Sequence, residues 1–253
     1  GLVQWKWPAP KGPRRSIRGF FREILWWPVA GFMSRITRPL FVGGALLLPA
    51  VALGRERFMD HMEHGAGPLK ELPFPLQLLI GLLCADFLGY WIHRLFHKSK
   101  RLWRLHAIHH SSKTVDWLAA ARGHPIGTGL GTVLRVIPLF LMGLPLKAFA
   151  VYAPLFLIHG IVLHASVPWR FGPLRYVIAS PAFHRFHHHK DLHVNFAGFF
   201  PIWDLIFRTY HLPAGEQPTE FGVKEDLPEG IFPLLAAPFR PWPEAAPAPA
   251  KKP

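Results

Sequence analysis

Residues 86–97 read Asp-Phe-Leu-Gly-Tyr-Trp-Ile-His-Arg-Leu-Phe-His. His93 and His97 stand four apart, so on a helix they share one face, a turn apart. Asp86 and Tyr90 each precede one of them by seven residues and continue the same stripe. The stripe closes an apolar run, Leu72–Ile92, whose only acid is Asp86. That run reaches the roughly 20 residues needed to cross a bilayer. An apolar helix carrying imidazoles at its end is the unit from which the fold is built.

Three further apolar stretches surround it: Pro39–Leu53, Ile126–Leu144 with Arg135 and Pro138, and Leu146–Leu163 with His159. Pro49, Pro138 and Pro154 shorten or kink them. The pattern predicts an all-α integral membrane protein. About four transmembrane or re-entrant helices form two hairpins, under a cytoplasmic, helical, histidine-rich metal-binding cap. The loop between the hairpins, 94–122, holds seven Lys/Arg against Asp116 alone. The positive-inside rule puts it, with both chain ends, on the cytoplasmic side of a bacterial inner membrane or the endoplasmic reticulum. Residues 1–38 read as a basic interfacial segment with Trp5, Trp7, Trp26 and Trp27 among eight cations. Residues 39–210 form the membrane domain, with the motifs between 82 and 210. Residues 211–253 are an extension, Pro/Ala-rich and disordered from about residue 238.

Composition agrees. Of 253 residues, 50% are apolar and 17% charged, below the roughly 25% charge of soluble domains. The net charge of +14 calls for an anionic partner. Apolar hairpins favour a membrane face over nucleic acid. One cysteine, Cys84, excludes a disulfide framework.

Histidine is the unusual residue: 13 of 16 lie between His93 and His193. His106, His109 and His110 form an HxxHH cluster, repeated at His184, His187 and His188. His159 and His164 follow each other at five residues, which a π-bulge would align. So many imidazoles buried together cannot all be charged. Neutral imidazoles converging on cations resolve the conflict, and imidazole suits Zn, Cu, Fe and Ni. Eight to ten nitrogens point to two metals. No HExxH or Glu-x-x-His pair lies in this region. Asp86, Asp116, Asp191 and Asp204 suit the role of holding imidazole N–H groups. A membrane metal carrier and a bis-histidine haem protein are the non-oxygenase alternatives.

These motifs resemble the fatty acid hydroxylase / sterol desaturase superfamily of integral-membrane di-iron oxygenases, over about residues 82–210. Asp86–His97 resembles the first histidine box, His106–His110 the second and Ser180–His188 the third. Arg122-Gly123-His124-Pro125, His164-Ala165-Ser166-Val167, Asn195-Phe196-Ala197-Gly198 and Trp203–Tyr210 resemble its smaller elements. Gly127, Ser166, Ala197 and Arg208 depart from the usual residues.

The resemblance implies two iron ions, with zinc as a substitute on overexpression, and O2 as cosubstrate. The substrate is a membrane lipid, a sterol or a fatty acyl chain, hydroxylated or desaturated at an unactivated C–H bond. His93, His97, His106, His109, His110, His159, His164, His184, His187 and His188 carry over as ligands. Asp86, Tyr90 and Asp204 are the candidate catalytic groups. His124, His189 and His193 stay open between a supporting role and none; His61, His64 and His211 are non-ligands. Electrons come from an external cytochrome b5- or ferredoxin-type donor with its reductase, and the basic loop 94–113 suits an acidic carrier.

Overall fold

Ser16 starts helix α1, Ile17–Leu53, by accepting a hydrogen bond from the Gly19 N–H at 3.1 Å. The structure, a computed structural model, describes Lys6 and residues 15–243. At about 1.5 Å per residue, the 37 residues of α1 far outrun a hydrocarbon core of roughly 30 Å. The helix passes residue 38 and its three internal prolines without a break. The apolar stretch predicted from Pro39 is thus the distal half of one long helix. Its basic, Trp-bearing half is the proximal part. The most apolar 18-residue window has a mean hydropathy of 1.7 and buries none of its residues in the protein, as a lipid-facing surface requires.

Short helices α2 (Arg55–His64) and α3 (Gly67–Lys70) lead to α4, Phe74–Lys98. Helix α5, Lys100–His110, follows at once, capped by Ser99. A 3-10 turn, Trp117–Ala121, precedes α6 (Pro125–Leu141) and α7 (Leu146–Leu163). Helices α1, α4 and α7 are each long and apolar enough to cross a membrane, and α6 is a shorter apolar helix. Then come α8 (Pro181–His187), α9 (Ile202–Ile206) and α10 (Ile231–Ala236). Among the described residues there is no strand, only an isolated bridge between His189 and Phe221.

Helices α4, α6 and α7 meet in a core of Ala85, Leu139, Leu144, Ala148 and Tyr152. Tyr152 Oη donates to the Leu78 carbonyl of α4 at 3.2 Å. Only a glycine at 81 admits it, because a Cβ there would overlap the Tyr152 hydroxyl. Above this core, Trp26 of α1, Ile108 of α5 and Leu234 of α10 form a second cluster. The extension beyond 211 therefore packs back onto the cap. The Pro/Ala-rich tail from 244 lies outside the described residues. The part between 238 and 243, expected to lack order, starts inside a 3-10 turn, Ala237–Phe239, because Ala237 and Pro238 are buried.

Ion pairs tie α1 and the residue before its cap to the histidine-bearing part. Glu23 is wholly buried and meets Arg122 Nη1 at 2.5 Å and Arg15 Nη1 at 3.1 Å; Arg15 also pairs with Asp116 at 2.8 Å. The one acid in a basic segment is thus the anchor of that segment.

Candidate metal centre

Nine histidines converge at the cap in two groups. His93, His97, His106, His110 and His187 form one; His109, His164, His184 and His188 form the other. Within each, one ligand atom per residue lies within 4.8 Å of the rest. The helices explain the sorting. In each HxxHH the i, i+4 pair stays together, His106 with His110 and His184 with His188. The residue between turns to the neighbouring group, His109 or His187. Helix α5 and helix α8 thus each feed both groups, reciprocally.

The hydrogen bonds fix the tautomers. His93 Nδ1 contacts the Phe196 carbonyl at 2.8 Å, His187 Nδ1 that of Val194 at 2.8 Å, His109 Nδ1 that of Arg122 at 3.0 Å, and His164 Nδ1 that of Gly160 at 2.7 Å. A carbonyl only accepts, so each Nδ1 carries the proton. A neutral imidazole then has a lone pair at Nε2. Burial enforces neutrality. It pushes His109 down to about 4 and His164 to about 3. His106, His110, His184, His187 and His188 fall well below the usual imidazole range, through burial first and then the neighbouring imidazoles.

Two of these lone pairs face each other. His109 Nε2 and His164 Nε2, both unprotonated, are 3.3 Å apart, a contact that cannot be a hydrogen bond. His93 Nε2 lies 3.0 Å from His106 Nε2, and His184 Nε2 3.2 Å from His164 Nε2. His187 Nε2, His184 Nδ1 and both nitrogens of His97 are buried with no hydrogen-bond partner. Such orphans are costly unless something binds them. A divalent cation at about 2.0–2.1 Å from each nitrogen sets neighbouring ligand atoms roughly 3.0–3.4 Å apart, matching these contacts. The donor set fits a metal in each group.

His159 is placed differently. Its ring lies against Phe199, centroids 4.3 Å apart, outside both groups. Helix α7 is α-helical to Leu163, with no π-bulge, and His164 is its C-cap. Five residues on an α-helix turn about 500°, which leaves the two rings roughly 140° apart. Only His164 reaches the centre. His124 instead caps α6, accepting from the Ile126 N–H at 3.1 Å and contacting the Leu235 carbonyl with Nε2. His189 and His193 line a small outer cavity of about 120 Å³ behind His97 and His110.

The acids also differ from expectation. Neither Asp86 nor Asp204 contacts an imidazole. Asp86 accepts from the Phe199 and Phe200 N–H groups at 2.8 Å and from Trp203 Nε1 at 3.1 Å. Asp204 accepts from the Phe196 and Ala197 N–H groups at 2.8 Å and from Thr209 Oγ1 at 2.6 Å. The physical reason is that carbonyls already occupy the imidazole N–H groups. The two carboxylates instead clamp loop 195–200, and that loop offers the Phe196 carbonyl to His93. Tyr90 is held between Arg94 Nη1 (3.0 Å) and Thr209 Oγ1 (2.9 Å). All three are positioning residues. Sequence reading passed over the carbonyls of Phe196, Val194 and Arg122, which leave no side-chain signal. Asn195, marked in the sequence only as part of a smaller element, is buried at φ 58° and bonds to the Phe183 and His211 backbones.

His93, His106 and His109, drawn from both groups, open onto one cavity of about 360 Å³. Its walls come from α4, α5, α6 and α7, with Ile92, Phe96, Leu105 and Phe156 as the apolar part. The arrangement can present an apolar molecule, arriving from between membrane helices, to two metal positions.

A family model described as Fatty acid hydroxylase matches residues 78–209. The chain is 35% identical to an ornithine lipid hydroxylase of Rhizobium tropici over 170 residues, 66% of this chain and 51% of that protein. It is 28% identical to the alkylglycerol monooxygenase of Danio rerio over 209 residues, 81% and 43% of the two chains. A very-long-chain aldehyde decarbonylase of Oryza sativa subsp. indica is 32% identical over 146 residues, 52% and 23%. The chain spans about half the length, or less, of these curated relatives. No solved structure matches it significantly.

Proposed function

The chain belongs to the fatty acid hydroxylase family, and we propose that it is an O2-dependent lipid hydroxylase working at a two-iron centre in the membrane. The observation that carries this is the pair of histidine groups, in each of which Nε2 atoms converge to 3.0–3.3 Å, and which open together onto one partly apolar cavity. The named activities of the relatives, ornithine lipid hydroxylation and alkylglycerol oxidation, support a polar membrane lipid as substrate.

Two iron ions bound there would supply dioxygen reduction and oxidation of a C–H bond. The balance is RH + O2 + 2 electrons + 2 protons giving ROH + H2O. The protein's own part is positional. The Phe196, Val194, Arg122 and Gly160 carbonyls hold each imidazole's N–H, so its Nε2 stays available. Asp86 and Asp204 hold the loop that carries Phe196. The cavity's apolar wall excludes water and presents the chain of the lipid. The electrons come from an external donor of cytochrome b5 or ferredoxin type, docked on the basic cap, which faces the cytoplasm.

The test is elemental analysis of the purified chain, then O2-dependent oxidation of membrane lipids with a chemical reductant. About two transition-metal ions per chain, and a hydroxylated lipid, are expected. A Soret band would replace this reading with a haem protein; metal without O2-dependent product would favour a carrier.

A further inference from the structure

Two arginines break the apolar character of the substrate cavity. Arg135 of α6 and Arg38 of α1 both line it. A second cavity, about 670 Å³, lies between α1 and α6 and shares Arg38, Ala120, Arg122, Gly123 and Thr128 with the first. The two spaces are therefore adjacent, and Arg38 stands between them. A lipid leaving the bilayer beside α1 would pass Arg38 and then meet Arg135.

Asp86 attracts Arg135 across the cavity, but among the described residues no carboxylate is hydrogen-bonded to either arginine. Arg135 Nε donates only to the Gly131 carbonyl of its own helix, at 3.3 Å. Among the described residues neither arginine forms an ion pair. The one acid lining the cavity, Asp86, already accepts three N–H groups from loop 199–203. Arg122, on the same wall, is neutralised by Glu23. The Arg135 side chain runs past Gly89 and Gly131, whose added Cβ atoms would stand 3.8 Å from its Cδ and 3.9 Å from its Nη2 in ordinary contact. A guanidinium without a hydrogen-bonded acid among apolar helices is expensive, and such residues mark ligand paths. Its planar fork matches a carboxylate or a phosphate.

We propose that Arg135, with Arg38, is the subsite for an acidic group on the lipid substrate, a carboxylate or a phosphate. This rests on the hydroxylase reading and narrows it. Arg135 shares a cavity with His93, His106 and His109, so the carbon offered to the metal positions lies a few bonds from the acidic group. The far end of the acyl chain points back between α1 and α6.

The experiment measures equilibrium binding to the detergent-solubilised, metal-loaded full chain. The probes are palmitate against methyl palmitate, and lysophosphatidate against monopalmitoylglycerol. The wild type should bind the acidic member of at least one pair about 10- to 100-fold more tightly, as expected of a charged hydrogen-bonded pair. The pair showing the preference tells carboxylate from phosphate. Arg135→Gln should erase it with metal content unchanged, and Arg135→Lys should keep part of it. No preference in the wild type, or full preference in Arg135→Gln, overturns the subsite. If Arg135→Gln fails to fold, Arg38→Gln decides: a weakened preference supports the subsite, and an unchanged one removes it. A wild type that oxidises neutral lipids with O2 and shows no acid preference would leave the hydroxylase standing without this subsite. Arg135-dependent acid binding by a chain that takes up no metal would do the reverse.

Discussion

The two histidine groups are built from the same two helices yet differ in kind. The five-membered group leans on the end of a membrane helix, through His93 and His97 of α4, and on loop 194–196. Three of its members are only partly buried, and a small cavity with His189 and His193 lies behind it. The four-membered group takes nothing from α4; three of its members are fully buried, and its props are the Arg122 and Gly160 carbonyls. One position has a spare ligand and a near-surface wall. The other has neither. The difference teaches that equal motifs in sequence need not give equal sites, because each HxxHH sends its residues both ways.

The largest effect expected from this asymmetry follows removal of a member of the smaller group. His109→Ala leaves three imidazoles there, and metal content should fall from about two ions per chain to about one, with turnover abolished. His97→Ala leaves four in the larger group and should keep close to two ions. Elemental analysis of both variants, in the same preparation, checks the pair. Equal loss from both would show that the groups are energetically one site.

Next comes the anchor of the smaller group. Glu23→Gln leaves Arg122 buried with its partner neutralised. Breaking a buried pair from one side costs about 3–5 kcal/mol, so a thermal melt should shift down markedly. Because the Arg122 carbonyl holds His109, the ion lost first on heating should be the one in the smaller group.

How much of this was legible beforehand follows from where the signal lies. The membrane helices and the HxxHH boxes were readable, since hydropathy and helical period are properties of side chains in order. Nine of the ten proposed ligands come together in the structure. The division into two groups was not readable, since it depends on how α5 crosses α8. The role of Asp86 was misassigned because a carboxylate seven residues before a histidine shares its helix face, yet the N–H groups it holds arrive from residues 199–203 in another part of the chain. The length of α1 was missed because its basic, Trp-bearing half and its apolar half differ in composition and read as separate segments, although one helix runs through both and through Pro28, Pro39 and Pro49.

A smaller effect should separate the two acids from the ligands and favour one group. Asp86→Asn and Asp204→Asn each loosen loop 195–200, whose Phe196 carbonyl holds His93. Changes beyond the ligands themselves typically cost about 10- to 100-fold in affinity or activity. Metal titration should show that weakening in the five-membered group alone. Weakening in the four-membered group instead would mean that the loop supports His164 or His184 by a route the hydrogen bonds do not reveal.

The smallest effect is expected at His159, and it sharpens the comparison from the same helix. His159 and His164 sit on α7 within one and a half turns, and the resemblance gives both as ligands. The structure puts His164 Nε2 3.2 Å from His184 Nε2 and 3.3 Å from His109 Nε2. It puts the His159 ring against Phe199 at a 35° tilt, with Nε2 buried and without a partner and the Gly198 backbone as its hydrogen-bond contact. Replacing it by an apolar ring of similar shape removes one orphaned nitrogen and one backbone hydrogen bond, a net cost of about one such bond. His159→Phe should therefore keep both metals and melt within about 1 kcal/mol of wild type. His164→Phe should lose the ion of the smaller group. If His159→Phe also loses an ion, α7 rotates on metal loading to bring in a tenth ligand. The four-membered group would then have five, and the asymmetry between the two positions would disappear.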